Sequence, residues 1–204
     1  MMKTKAILIG GSPCAGKSTL SAYLGKKYNY QVIKADDYMF RHIEEADEKT
    51  QPIMYRWKTE PWHELFSREV DVQLKEEIAF YHEEWELVKR DILCDIRSDK
   101  VIIEGCALLP ALATNLIDDA RLFFIVPTET FQREKYALRT WAFDILNDAY
   151  DPKVAFNNWM ERDIGFAGYI ANEAEKFGFK LLVMEGKQST EELVEELLDS
   201  IGLL

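Results

Sequence analysis

Gly11-Ser12-Pro13-Cys14-Ala15-Gly16-Lys17-Ser18 sets two glycines, a lysine and a hydroxyl at the spacing G-x-x-x-x-G-K-[ST]. That spacing belongs to a loop that wraps a polyphosphate. The glycines let successive backbone N–H groups turn into one concavity, and a helix opening behind them adds its own unpaired donors. Lys17 can then reach the β- and γ-phosphates, and the Ser18 hydroxyl can ligate Mg²⁺. Gly11, Ser12, Pro13, Cys14, Ala15, Gly16, Lys17, Ser18 and Thr19 are therefore the expected contacts of a nucleoside triphosphate.

Carboxylates are the second chemical signal. Asp36 and Asp37 directly follow the apolar run Gln31–Ala35, and Glu104 closes the run Val101-Ile102-Ile103. At the carboxyl ends of parallel strands, both sites face the crevice where the phosphate loop lies. Phosphoryl transfer needs an acid to take the proton of an attacking hydroxyl and another near the metal. Asp36 suits the first task, and Glu104 with Ser18 the second. A third signal is basic: Arg133, Lys135 and Arg139 follow the run Leu122–Val126 and Pro127. At about 100° per residue Lys135 and Arg139 share a helix face, whereas Arg133 points away by about 120°. Such cations can close over phosphates and stabilise the transition state; Arg162 is a further candidate.

The elements that must position these groups read as an α/β chain. Five short apolar runs, Ala6–Gly10, Gln31–Ala35, Val101–Glu104, Leu122–Val126 and Lys180–Met184, alternate with helical patterns. That alternation predicts a five-stranded parallel sheet covered on both faces. The spacing predicts long helices over about 67–98 and 157–177. A last helix over about 191–201 opens on the capping box Ser189-x-x-Glu192 and buries Leu193, Leu197 and Ile201. Two segments break the rhythm. Residues 38–66 read as irregular and aromatic-rich, and 147–158 as a break around Asp151-Pro152. The first is expected to form an acceptor-binding insert and 131–162 a lid, on one domain spanning 1–204. Asp36, Asp37, Tyr38, Arg41 and Arg56 are the expected acceptor contacts.

Composition narrows the partners. A net charge of −11 argues against a nucleic-acid surface. No run of about 18 apolar residues suggests a membrane span, and the N-terminus runs straight into the first strand without room for a signal peptide. Cys14, Cys94 and Cys106 lack metal-ligand or C-x-x-C spacing, so they read as reduced thiols of a cytoplasmic protein. Composition leaves monomer and homodimer open.

Together, Gly11–Thr19, Ala35-Asp36-Asp37-Tyr38, Ile103-Glu104-Gly105 and Pro127 followed by Arg133 and Arg139 resemble the phosphate-loop small-molecule kinases. The nearest branch is that of uridine kinase and nicotinamide riboside kinase. The resemblance implies a three-layer P-loop fold, ATP and Mg²⁺, and a small-molecule hydroxyl as acceptor. It makes Asp36 the general base, Glu104 a metal support, and Arg133 and Arg139 the phosphate-gripping arginines. It touches most of the chain, but only the phosphate loop is specific alone, and no substrate motif matches residues 38–66. Chloramphenicol phosphotransferase and zeta-type toxin kinases share the plan. A nucleoside monophosphate kinase, with Arg41 and Arg56 on its acceptor, and a non-catalytic nucleotide sensor are the alternatives. A GTPase switch is disfavoured, since no N-K-x-D motif occurs.

Overall fold

The computed structural model describes residues 5–200. Its centre is a five-stranded sheet of β1 (Lys5–Gly11), β2 (Gln31–Lys34), β3 (Lys100–Glu104), β4 (Arg121–Pro127) and β5 (Lys180–Met184). Every pairing is parallel and the spatial order is β2-β3-β1-β4-β5. The phosphate-loop strand β1 is thus central, with Leu8 opposite Ile103 on one side and Leu122 on the other.

Strand alternation divides the core in two. Ile7 and Ile9 pack with Leu20 and Leu24 of α1 (Lys17–Tyr28) and with Leu193, Val194 and Leu197 of α10 (Thr190–Ser200). Ala6 and Leu8 face the other way, onto Trp85, Val88 and Ile92 of α5 (Val70–Asp95). Beside them, Phe124 and Val126 of β4 meet Phe166, Ile170 and Ala174 of α9 (Pro152–Lys176). A period of two places successive β1 residues on opposite faces, and burying both faces requires helices on each.

The helix boundaries depart from the sequence expectations in three places. Residues 38–66 are helical in short pieces: α2 (Met39–Glu45), α3 (Pro52–Thr59) and α4 (Trp62–Phe66). None spans enough turns to show a period; Pro52 opens α3 and Pro61 is the N-cap of α4. Helix α9 begins at Pro152, about five residues earlier than its apolar stripe suggests. Asp151 caps it by accepting from the N–H groups of Lys153 (3.0 Å) and Val154 (3.1 Å), so the Asp-Pro pair starts a helix rather than breaking one. Helix α5 spans only Val70–Asp95 of the expected 67–98, because Ser67 closes α4 and Ile96 turns extended. The capping box on α10 forms as the sequence predicts: Ser189 N–H donates to Glu192 at 2.8 Å, and Glu192 N–H donates to Ser189 Oγ at 3.2 Å. Ile201 lies outside the described residues.

The remaining helices, α6 (Pro110–Ala113), α7 (Glu129–Ala137) and α8 (Thr140–Ile145), follow β3 and β4. Among the described residues no helix is long and apolar enough to cross a membrane.

Candidate active site

The phosphate loop owes its shape to β4. A Cβ on Gly11 would lie 1.9 Å from the Ile125 carbonyl oxygen, so only glycine lets β1 leave the sheet there (φ 142°). Cys14 (φ 60°) and Gly16 (φ 83°) then adopt left-handed conformations that curl the backbone ahead of α1. Lys17 is buried and its Nζ reaches across the loop, donating to the Ser12 carbonyl at 2.8 Å and to Cys106 Sγ at 3.2 Å. Burial alone would lower the Lys17 pKa, but nearby anionic groups raise it instead. Burial also pushes the Cys106 thiol well up, so it stays neutral, and the Asp36 and Glu104 carboxylates hold the ammonium charged.

Asp36 sits in the 3-10 turn Ala35–Tyr38 directly after β2. Its Oδ1 accepts the Cys106 backbone N–H at 2.8 Å, which ties the end of β2 to the residue following β3. Gly105 permits that approach, since a Cβ there would stand 2.8 Å from Asp36 Oδ1. Glu104 ends β3 almost fully buried. Burial raises its pKa, opposed by a hydrogen bond from Ser18 and by the Lys17 charge.

Asp36, Lys17 and Ser18 open into one cavity of about 820 Å³ at the carboxyl edge of the sheet. Aromatic rings dominate its walls: Phe40 from α2, Trp57 from α3, Trp62 and Phe66 from α4, Tyr81 from α5 and Trp159 from α9. From α7 and its C-terminal turn, Lys135 and Arg139 face in, and both act electrostatically on Cys14 of the phosphate loop. Arg139 lies over the Tyr136 and Trp141 rings, 4.9 and 5.7 Å from their centroids.

Other expected site residues lie elsewhere. Arg133 points outward and pairs with Glu129 (2.9 Å) and Glu161. Helical rotation separates it from Lys135; Arg139 does not share that helix as its spacing predicts, because α7 closes at Ala137 and Arg139 is extended (φ −97°, ψ 92°), facing in from the turn before α8. Tyr38 donates to Asp95 Oδ2 at 2.6 Å and, with Asp37, borders a separate shallow depression on the β2 side. Arg41 is half-exposed on Asp91, and Arg56 is paired with Glu76 at 2.7 Å. In the α2–α3 segment aromatic side chains turn toward the cavity while the arginines stay on the outside.

Sequence patterning overlooked the partners of Arg162. At the cavity floor Arg162 Nε lies 3.0 Å from Glu77 Oε2, and an Nη lies 2.6 Å from Asp163 Oδ1. Tyr136 donates its hydroxyl to Asp163 Oδ2 at 2.7 Å. The guanidinium stacks over Phe66 and Trp159, 5.3 and 6.0 Å from their centroids. Burial raises the Glu77 pKa to about 8; Arg162 opposes the shift and Asp163 adds to it. One guanidinium does not neutralise two buried carboxylates, so the cluster keeps a proton on the acids near neutral pH. The signal was present in the sequence: Glu77 falls on the α5 stripe with Leu74, Ile78 and Tyr81. Arg162 and Asp163 fall three and four residues after Trp159 on the α9 stripe. Charged residues on an apolar stripe mark a buried polar cluster.

The residues present suit a polyphosphate with its metal. Ser12 Oγ is buried without a hydrogen-bond partner, and Lys17 Nζ has two partners for three donors. Glu104 and Ser18 form an oxygen pair of the kind Mg²⁺ takes.

No protein-family model matches the sequence, and no curated protein matches it. Solved structures do. Shikimate kinase from Acinetobacter baumannii in complex with shikimate superposes with a TM-score of 0.57 at 14% identity, covering 98% of this chain and 94% of that one. TT1252 from Thermus thermophilus gives 0.55 at 16% identity, covering 98% of each chain. Deoxyadenosine kinase from M. mycoides with bound dATP gives 0.51 at 13% identity, covering 97% of this chain and 99% of that one. The chain therefore has the three-layer α/β fold of the P-loop small-molecule and nucleoside kinases.

Proposed function

We propose that this protein is an ATP- and Mg²⁺-dependent kinase that phosphorylates a hydroxyl of a small molecule. The observation that carries the reading is that Asp36 and the phosphate loop share one cavity, with Asp36 held by the Cys106 N–H. The loop amides, the Ser12 hydroxyl and Lys17 hold the polyphosphate tail. Ser18 and Glu104 would hold the metal, which would supply neutralisation of the charge on the phosphate tail. Asp36 accepts the proton as the acceptor oxygen forms its bond to the γ-phosphorus. The bond from that phosphorus to the β,γ-bridging oxygen breaks, and ADP leaves with the electron pair. Lys135 and Arg139, across the loop at Cys14, balance the charge spreading over the transferring group. The aromatic helices α2–α4 form the acceptor insert; of the 131–162 expected as lid, residues 152–162 belong to α9, so the proposed lid is α7–α8.

A hydroxyl acceptor is favoured over a nucleoside monophosphate. Arg41 and Arg56, the cations a phosphate acceptor would use, are committed to Asp91 and Glu76 outside the cavity. The test is an ADP-release screen across hydroxyl compounds and nucleoside monophosphates, with Lys17→Ala as blank. Asp36→Asn is expected to lower kcat by roughly 10²–10⁴ while triphosphate affinity is kept. A folded Asp36→Asn protein with most of its rate would remove the base assignment. Nucleotide binding without acceptor-stimulated ADP release from any compound would point to a sensor.

A further inference from the structure

We propose that the acceptor is a cationic hydroxyl compound, an amine-bearing alcohol with a flat or apolar body. Its ammonium would be received by Glu77 at the aromatic floor of the cavity. This deepens the kinase reading and rests on it only for the hydroxyl.

Glu77 is 5% exposed, lines the cavity, and its Oε2 has no aligned hydrogen bond. The nearby Arg162 Nε is 3.0 Å away, but its N–H is not directed at that oxygen. A buried carboxylate oxygen with an unused lone pair is costly unless a donor arrives. On the far side, Asp163 accepts the Tyr136 hydroxyl on Oδ2 and has Arg162 Nη 2.6 Å from Oδ1, and of the two acids Glu77 alone lines the cavity.

Charge and ring chemistry select the sign of that donor. The cavity's other cations, Lys17, Lys135 and Arg139, act at its phosphate-loop end around Cys14, whereas at the floor two buried carboxylates flank the single guanidinium of Arg162. An anionic acceptor would bring one more negative charge against these. Trp57, Phe80 and Tyr81 wall the space, and aromatic faces attract cations and repel anions. The other titrating or charged groups around Glu77 are Arg162 and Asp163 from α9, Lys17 from α1, Tyr81 on its own helix and Cys106 after β3. Lys17 is engaged at the phosphate loop and the thiol is neutral, so a proton on the acids balances the second carboxylate, and an arriving ammonium would take its place.

Three matched probes test this: 4-(aminomethyl)benzyl alcohol, its N-acetyl derivative and 4-(hydroxymethyl)benzoate. Each is titrated calorimetrically into the full-length protein with MgADP at pH 7. The amine is expected to bind at least about 10-fold more tightly than either analogue. Its heat should depend on the buffer, because an arriving ammonium drives the Glu77 proton into solution. In Glu77→Gln, checked for folding by thermal melting, the amine should weaken to the level of the N-acetyl compound. Glu77→Asp should recover part of the gap. The inference is overturned if the neutral or acidic probe binds as well as the amine, if none binds, or if the wild-type heat is independent of buffer. That last measurement holds even if Glu77→Gln fails to fold. ADP release separates the two claims. An amine that binds but is never phosphorylated sinks the kinase reading alone. Phosphorylation favouring neutral or acidic alcohols sinks this inference alone.

Discussion

Gly105→Ala tests whether the position of Asp36, and not merely its presence, governs turnover. A Cβ at residue 105 would stand 2.8 Å from Asp36 Oδ1 and 2.8 Å from the Ala35 Cβ. Ordinary contact begins near 3.4 Å, so the carboxylate must retreat by roughly 0.6 Å. The Cys106 N–H to Asp36 bond, now 2.8 Å, would stretch to about 3.4 Å, the limit of a useful hydrogen bond. A catalytic group displaced by this much costs on the order of 10²-fold in rate. The strain should also take about 1–3 kcal/mol from stability. The phosphate loop hangs from β1 and α1, so triphosphate affinity measured by calorimetry should stay near that of wild type. Steady-state kinetics with any acceptor found by the screen then gives the split: kcat falls and nucleotide binding does not. A stably folded Gly105→Ala enzyme with undiminished kcat would refute the reasoning, because Asp36 would tolerate displacement from its Cys106 anchor.

Two further outcomes concern the buried charges. Glu77 binds its proton more tightly in the folded state than in the unfolded one, so its contribution is full below pH 4.5 and is lost as pH rises toward about 8. Denaturant unfolding should show wild-type stability declining across that window by a few kcal/mol relative to Glu77→Gln; parallel pH profiles would show that the cluster carries no excess proton. His42 is fully buried, and burial would lower its pKa, but Glu84 (2.8 Å) and Asp91 (2.8 Å) grip both ring nitrogens and raise it. The stability it gives α2 against α5 is complete below pH 6.5 and disappears as pH climbs through the elevated folded value. His42→Asn should therefore cost more at pH 6 than at pH 9, by about 1–3 kcal/mol, and an NMR titration midpoint at or below 6.5 would contradict this.

Much of the fold and part of the candidate site are legible in the sequence, for local reasons. The loop at Gly11–Ser18, the five apolar runs and the Ser189–Glu192 capping box depend on glycine freedom, β-branching and short-range hydrogen bonds. The rotation that separates Arg133 from Lys135 follows from 3.6 residues per turn, whereas Arg139 faces the cavity from an extended turn past the end of α7 that the spacing did not reveal. Short helices are less legible. Segments α2–α4 carry too few turns to show a period, and Asp151-Pro152 serves as a helix start in one context and a breaker in another.

Sequence alone, then, determined the five strands, the long helices and the phosphate loop, because those follow from interactions within a few residues. Tertiary structure decided which polar groups meet. Asp36 reaches an N–H 70 positions away, and Glu77 meets Arg162 because α5 and α9 pack against each other over the same sheet face. Arg41 and Arg56 likewise found carboxylates on α5 and stayed outside the cavity. Pairing across such separations depends on where helices dock. Docking is set by the summed burial of many side chains, which no single spacing in the chain encodes.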